Sequence, residues 1–182
     1  LLVPAAPARA TTILAMSFGE QCSGAATVVV GTVHEVVSRR SPTAPSFFET
    51  LVTITVDDVV AGSAPAEVTL RLAGGEMDGV RQSIDGMPEF ASGERYVVFL
   101  ELDHDPPLIS PITGFNQGLY RIERADGRDV VRDRAAHALP ERAVAALAAG
   151  GAERRESDVS SPGAAAPPLD TFVSAIRAAR PR

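Results

Sequence analysis

Carboxylates and glycines are concentrated between Gly74 and Pro88, in the sequence GGEMDGVRQSIDGMP. Glu76 and Asp78 supply oxygens of the kind that a hard cation such as calcium prefers. A calcium loop also needs a ligand at its first position and a glycine at its sixth. If Gly79 is that sixth residue, the first is Gly74, which has no side-chain oxygen. We therefore predict glycine-rich turns here, with Glu76 and Asp78 as candidate ligand-binding residues and an irregular calcium site as the alternative.

A second glycine-bounded stretch, Gly114–Gly118, carries one aromatic ring and two amides in a row. Phe115, Asn116 and Gln117 combine an apolar contact surface with hydrogen-bond donors and acceptors, a combination suited to binding a partner. The alternative is a tight turn or a bulge that leads into the next strand. Because loops on a rigid scaffold often carry the binding residues of a domain, these three side chains join the candidates.

The three histidines, His34, His104 and His137, are far apart in the sequence, and no pair has the spacing of metal ligands. A zinc site from His34, His104 and a carboxylate would require the fold to bring distant residues together. No serine lies in the nucleophile-elbow pattern of a Ser/His/Asp hydrolase. We therefore predict no catalytic residue, no bound metal and no cofactor. A metal-dependent hydrolase assembled from distant residues stays open as the alternative.

Composition restricts the partners of the chain. Of its 182 residues, 45% are hydrophobic, which is enough for one folded domain with its own core. The formal net charge is -6 and the 17 basic residues are scattered, so nucleic acid is not expected as a partner. No apolar stretch approaches the roughly 20 residues of a membrane span, so we do not expect the chain to span a membrane.

Cys22 is the only cysteine, so an intramolecular disulfide is impossible. Its thiol could be a small buried apolar group, a reactive nucleophile or one half of a bridge to another chain. The sequence leaves these three interpretations open.

The first ten residues, LLVPAAPARA, are typical of the end of an export signal. An apolar start is followed by Ala8-Arg9-Ala10, with small residues at the two positions that a signal peptidase reads. We interpret residues 1–10 as a signal-peptide remnant and expect the mature chain to begin at Thr11, in the periplasm or outside the cell. A disordered Ala/Pro terminus is the alternative.

Strand patterns dominate from about residue 27 to residue 133. The first, Thr27–Ser38, is rich in β-branched residues and contains Gly31, which predicts a bulge or sharp bend. The last two form a hairpin, because Asp126-Gly127 suits a tight turn with positive backbone angles. Between them, apolar alternation predicts further strands within residues 47–62, 68–72 and 94–102.

Helical patterns lie at both ends of this β region. Ser17 and Glu20 have the capping-box spacing, which predicts a short helix over residues 18–23. We divide the chain into a β-barrel domain at 11–135, a short helix at 136–150, a flexible linker at 151–168 and an amphipathic helix at 169–182. The last helix either docks on the barrel or stays mobile. Its apolar face consists of Leu169, Phe172, Val173 and Ile176.

The order of several segments resembles a group of uncharacterised exported bacterial proteins. The segments are ATVVVGTVHEV, FFETLVTITVDDVVAG, GGEMDGV, GMPEFASGERYVVFLEL and GFNQGLYRI, and the likeness covers residues 16–133. More distantly, the helical start, the V-V-G-x-V strand and the G-E-R-Y-V-V-F-L strand look like the OB-type barrel of netrin-like modules and tissue inhibitors of metalloproteinases. The resemblance implies a mainly β fold, an OB-like antiparallel β-barrel with a short N-terminal helix and a C-terminal helical tail.

The metalloproteinase inhibitors place an amino-terminal cysteine on the catalytic zinc of their target and carry disulfides. This chain departs from that pattern, because Thr11 is the expected mature terminus and Cys22 lies inside the domain. The resemblance therefore bears on architecture and not on activity. We expect a non-enzymatic exported module that binds an unknown protein or cell-envelope component through loops 74–88 and 114–118. A metal-dependent hydrolase and a protease-inhibitor-like protein are the alternatives.

Overall fold

The fold is described by a computed structural model for residues 14–101, 109–133 and 166–180. The signal remnant at 1–10, the helix predicted at 136–150 and most of the linker at 151–168 lie outside these residues. The elements, in chain order, are α1 (Phe18–Gly24), β1 (Thr27–Arg40), β2 (Phe48–Ala61), β3 (Glu67–Ala73), β4 (Gly75–Met77), β5 (Val80–Gln82), β6 (Arg95–Leu100), β7 (Leu119–Ala125), β8 (Arg128–Arg132) and α2 (Leu169–Ala179).

Six strands form one antiparallel sheet in the order β3-β2-β1-β6-β7-β8, and β4 and β5 form a separate two-stranded hairpin. The prediction of a mainly β chain is confirmed. β1 and β2 pair along almost their whole length, whereas β6 pairs only with Thr27–Thr32 of β1. The turn predicted at Asp126-Gly127 joins β7 to β8, and both residues have positive φ angles.

The sheet is open, and the predicted closed barrel is not found. In the described ranges, β3 and β8 are the two edge strands and do not pair with each other. The edge of β8 is covered instead by the segment before α2, where the Val131 amide donates to the carbonyl of Pro167 at 2.9 Å. A neighbouring bridge joins Val130 to Pro168. Since this segment occupies the edge of β8, that edge is not available for closure by β3.

Alternate residues of β1 contribute to two hydrophobic clusters, one on each face of the sheet. Val28 and Val30 belong to the cluster that packs beneath α1 and α2. Val29 and Val33 belong to the second cluster, which residues of β2, β3, β6 and β7 share. β2, β6 and β7 likewise contribute residues to both clusters, so the two cores share four strands, β1 among them.

Helix α2 docks on the sheet, which settles the alternative between a docked and a mobile helix. Phe172 and Ile176 are fully buried. The Phe172 ring lies 5.4 Å from the ring of Phe18 in α1 and 4.9 Å from that of Tyr120 in β7. Edge-to-face and tilted ring pairs at such distances add to the free energy of burial. The amphipathic face predicted for this helix is thus confirmed.

Helix α1 begins with the predicted capping box, in which Ser17 and Glu20 satisfy each other's backbone amides. Its inner side carries Gln21, whose Oε1 accepts a hydrogen bond of 2.6 Å from the hydroxyl of Tyr120. Cys22 is completely buried beside it, and this burial raises the pKa of the thiol to about 12. Of the three interpretations of Cys22, the structure supports the buried apolar group.

The sequence predicted a bulge or a sharp bend at Gly31, and the pairing of β1 with β2 shifts register there, between Val30 and Gly31. A Cβ atom at this position would lie 2.5 Å from Cγ2 of Ile54 and 2.6 Å from the carbonyl oxygen of Thr55. Only glycine permits so close an approach of two backbones. On β2 the shift leaves Asp57 without a partner residue, because Val30 pairs with Asp58 and Gly31 with Val56.

We predict that Phe172→Ala destabilises the whole domain, because it leaves a cavity where α1, α2 and β7 meet. Truncation of a fully buried Phe typically costs about 3–5 kcal/mol. The free energy of unfolding in denaturant titrations measures this effect. Ser174→Ala, on the exposed side of the same helix, is the matched control and should change it by less than about 0.5 kcal/mol. Equal stability of the two variants would show that α2 does not pack on the sheet.

Candidate functional site

The chain between β3 and β6 folds back against the sheet as the β4–β5 hairpin. Asp78 and Gly79, both with positive φ, form its turn. Polar contacts hold the base of the hairpin to the two long strands. The Thr50 hydroxyl donates to the Gly74 carbonyl at 2.9 Å, and the Glu76 amide donates to Oγ of Ser38 at 3.2 Å.

Gln82 provides a second attachment on the other strand of the hairpin. Its Oε1 accepts from the Phe48 amide at 2.7 Å, and its Nε2 donates to the Ser46 carbonyl at 2.9 Å. One side chain therefore satisfies two backbone groups at the start of β2. Since both ends of the hairpin are attached, its position relative to β1 and β2 is fixed by hydrogen bonds.

A cavity of about 380 Å³ lies between the hairpin and the sheet. Val52, Leu72, Met87 and Phe90 give it apolar walls. Arg81 and Glu89, which also line it, form an ion pair of 2.5 Å between exposed side chains. The cavity thus combines an apolar lining with a charged pair, and its volume lies within the range of small-molecule sites.

A second cavity, of about 630 Å³, lies on the other side of the segments 72–74 and 81–84, which line both cavities. Three of its lining side chains are apolar and exposed: Phe47 by 64%, Ile84 by 37% and Ile109 by 56%. Exposed apolar side chains that cluster around a concave surface are typical of a binding site. We refer to the two cavities together as the hairpin cleft.

A buried carboxylate lies in the lining of the second cavity. The side chain of Glu49 is only 6% exposed, and two arginines accompany it. Arg39 approaches its Oε1 at 2.7 Å, and Arg71 approaches its Oε2 at 3.7 Å. Such pairing is what allows a charged group to be buried. Arg71 also lines the cavity, so it adds a cation to an otherwise mainly apolar surface.

Loop 114–118 lies next to the hairpin connection. The Asn116 side-chain amide donates to the Gly86 carbonyl at 2.5 Å, which joins the two loops predicted from the sequence. Gln117 binds the segment before α1 instead: its Oε1 accepts from the Met16 amide at 2.7 Å and its Nε2 donates to the Leu14 carbonyl at 2.9 Å. Phe115 is half-buried and has a positive φ of 71°. Asn116 thus attaches this loop to the connection between β3 and β6, and Gln117 attaches it to the segment before α1; neither side chain lines the cleft.

The predicted acidic residues do not converge on a common point. Glu76 and Asp78 are exposed on the hairpin. Among the residues that the structure describes, no group of three His, Cys, Asp or Glu side chains could hold a metal ion. His34 is exposed on β1, while His104 and His137 lie outside the described ranges. The alternative in which His34 meets His104 therefore falls partly outside the described residues and is not tested.

Of the five residues predicted as ligand-binding, only Glu76 lines one of the two cavities, whereas Asp78, Phe115, Asn116 and Gln117 line neither. Most of the side chains that form the cleft were not predicted. Phe47, Glu49 and Ile109 are distant from the hairpin in sequence. The one available signal was Phe47, because it stands next to Phe48 where strict alternation allows only one of the two rings to face the core. The position of the other lining residues depends on the pairing of β2 with β3.

Comparison with protein-family models, curated proteins and solved structures gives no match. The class of protein is therefore defined by architecture alone: a curled, open antiparallel sheet with a hairpin cleft. Within the described part of the chain, neither helix has the length and apolar character needed to cross a membrane.

We predict that Gly75→Ala loosens the hairpin. A Cβ atom at Gly75 would lie 2.6 Å from Oγ of Ser38 and 2.8 Å from Oγ1 of Thr50, the two hydroxyls that hold the hairpin base. We expect a loss of about 1–3 kcal/mol in stability and faster tryptic cleavage after Arg81.

The matched control is Gly79→Asn at the tip of the same hairpin. A Cβ there would meet no atom within 4 Å, and Asn tolerates positive φ better than other side chains. Tryptic cleavage after Arg81 at the wild-type rate in Gly75→Ala would refute the attachment through Ser38 and Thr50.

Proposed function

We propose that this protein is a non-enzymatic exported module that binds a protein or cell-envelope component through the hairpin cleft. The observation that carries this proposal is the pair of cavities that share the segments 72–74 and 81–84. Volumes of about 380 and 630 Å³ suit the insertion of side chains or a small apolar group. Loops 74–88 and 114–118 would form the contact surface, as expected from the sequence.

The lining indicates which kind of ligand the cleft favours. Phe47, Ile84 and Ile109 offer apolar area, while Arg71 and Arg81 lie among them with their carboxylate partners. A ligand segment with apolar side chains and flanking polar or acidic groups would bury its side chains against this apolar area, and its acidic groups would contact the two arginines. A polypeptide segment fits this description, and so does an envelope component with an apolar portion.

The polar groups of the cleft support binding better than catalysis. Arg81 pairs with Glu89, Glu49 pairs with Arg39 and Arg71, and the hydroxyls of Ser38 and Thr50 bind each other and the hairpin backbone. These groups are engaged in holding the structure. A hydrolase would need a nucleophile or a metal next to a base, and no observation in the described residues favours that alternative.

The OB-like resemblance belongs to this proposal. OB-type modules commonly bind ligands on a sheet face and the loops beside it. In this chain the hairpin cleft lies between the sheet and the connection from β3 to β6. The protease-inhibitor alternative would use the segment at Thr11, which lies outside the described residues.

Site-specific photo-crosslinking tests the proposal. A photoreactive phenylalanine analogue replaces Ile84 in the cleft or, as the control, Arg128 on the exposed start of β8. Each protein is irradiated with an envelope extract of the source cells. We expect a discrete crosslinked product from position 84 and not from position 128, and we expect Phe47→Ala to reduce its yield. Equal products from both positions, or none from position 84, would contradict binding in the cleft.

A further inference from the structure

Within residues 14–101, 109–133 and 166–180, the outer edge of β3 has backbone groups that no other strand pairs, in a regular pattern. The Gly74 amide donates to Phe48 of β2 and the Ala66 carbonyl accepts from Val56 of β2, so the even-numbered residues face β2. The Ala73 amide points the other way, to the carbonyl of Ile109. Because successive backbone groups of a strand alternate in direction, Glu67, Thr69 and Arg71 direct their amides and carbonyls to the open edge.

The two edge strands of the sheet, β3 and β8, differ in how their outer edges are covered. The segment 166–168 covers β8, whereas β3 pairs only with β2 along residues 67–73 among the described residues. An uncovered edge strand is a template for another strand. The sequence of β3 determines which strand can pair with this edge.

The sequence of β3 is complementary to itself when two copies run antiparallel. If Thr69 lies opposite Thr69 of the partner subunit, then Glu67 lies opposite Arg71 of the partner subunit, and Arg71 opposite the partner's Glu67. We propose that the chain forms a twofold-symmetric dimer through β3, which would join two sheets into one continuous sheet. The charged residues at both ends of the paired segment then match in sign.

The neighbouring residues limit the length of the ladder in this register. Beyond Arg71, the Ala73 amide is already bound to Ile109. The residue opposite Ala73 would be the partner's Pro65, which has no amide to donate. In the symmetric register, the paired segment therefore ends where the available donors end, and the three pairs between these limits are of the hydrogen-bonded type.

The side chains of the odd-numbered residues are available for these pairs. Glu67 and Thr69 are exposed. The Arg71 side chain is 39% exposed, and its contact with Glu49 is long, at 3.7 Å, because Arg39 holds that carboxylate at 2.7 Å. The Arg71 guanidinium can therefore also form an ion pair with Glu67 of the partner subunit. Since the ladder is short, the dimer is expected to depend on protein concentration.

Sedimentation velocity across a concentration series tests the dimer, with Thr69→Pro and Thr69→Ala compared. Proline removes the amide that points to the open edge and leaves the pairing with β2 in place, so it is compatible with an edge strand. We expect the wild type and Thr69→Ala to approach twice the monomer mass and Thr69→Pro to stay monomeric. Thermal melts confirm that each variant is folded. A wild type that is monomeric at every concentration, or a Thr69→Pro variant that dimerises, would overturn the proposal.

Charge variants test the register separately. Glu67→Arg places two arginines opposite each other at both ends and should weaken dimerisation about tenfold, with Glu67→Gln intermediate. Mixing Glu67→Arg with Arg71→Glu should restore it, because every pair in the mixed dimer has opposite signs. If Arg71→Glu does not fold, because it places a second carboxylate beside Glu49, the comparison of Glu67→Gln with Glu67→Arg tests the register without it. Equal dimerisation of Glu67→Arg and the wild type would contradict this register.

Discussion

The close approach of β1 and β2 at Gly31 is the constraint on which the rest of the structure depends. Two backbones meet there at a distance that no side chain permits, with Ile54 and Thr55 in the space that a Cβ atom would need. The register of the two long strands shifts at this point. Val28 and Val30 of β1 pack in the cluster beneath the helices, and Val29 and Val33 pack in the second cluster on the other face. The shift at Gly31 is one of three irregularities in the pairing of β1 with β2, and β1 contributes buried residues to both faces of the sheet.

Each face of the curled sheet is then covered by a different part of the chain. Helix α2 covers one face and places Phe172 between Phe18 and Tyr120. The connection from β3 to β6 covers part of the other face. Hydrogen bonds attach its hairpin to β1 and β2 and its Gly86 carbonyl to Asn116, yet cavities remain on both sides of the segments 72–74 and 81–84. Because the connection covers this face only in part, concave apolar surface remains next to the ion pairs of Arg71 with Glu49 and of Arg81 with Glu89. The hairpin cleft is therefore a consequence of incomplete coverage, and that is the physical basis of the proposed binding function.

Local patterns predicted the elements well because their causes are local. The capping box at Ser17, the turn at Asp126-Gly127 and the apolar face of α2 each depend on residues within a few positions of one another. The prediction of a closed barrel was wrong because closure depends on residues that are distant in the sequence. The Val131 amide at the edge of β8 donates to the carbonyl of Pro167, and no sequence periodicity reveals this contact. The cleft was found only in part for the same reason. Gly74–Pro88 marked its position, whereas Glu49, Phe47 and Ile109 join it through strand register.

Amide hydrogen exchange with and without the envelope extract tests the central claim, that ligands bind in the hairpin cleft, most directly. It reports on every segment at once and needs no prior identification of the ligand. We expect the extract to slow exchange in residues 74–90 and at the start of β2, with little change in α2 and in the β7–β8 hairpin. Slower exchange confined to α2 or to the β7–β8 hairpin, with none in residues 74–90, would contradict it.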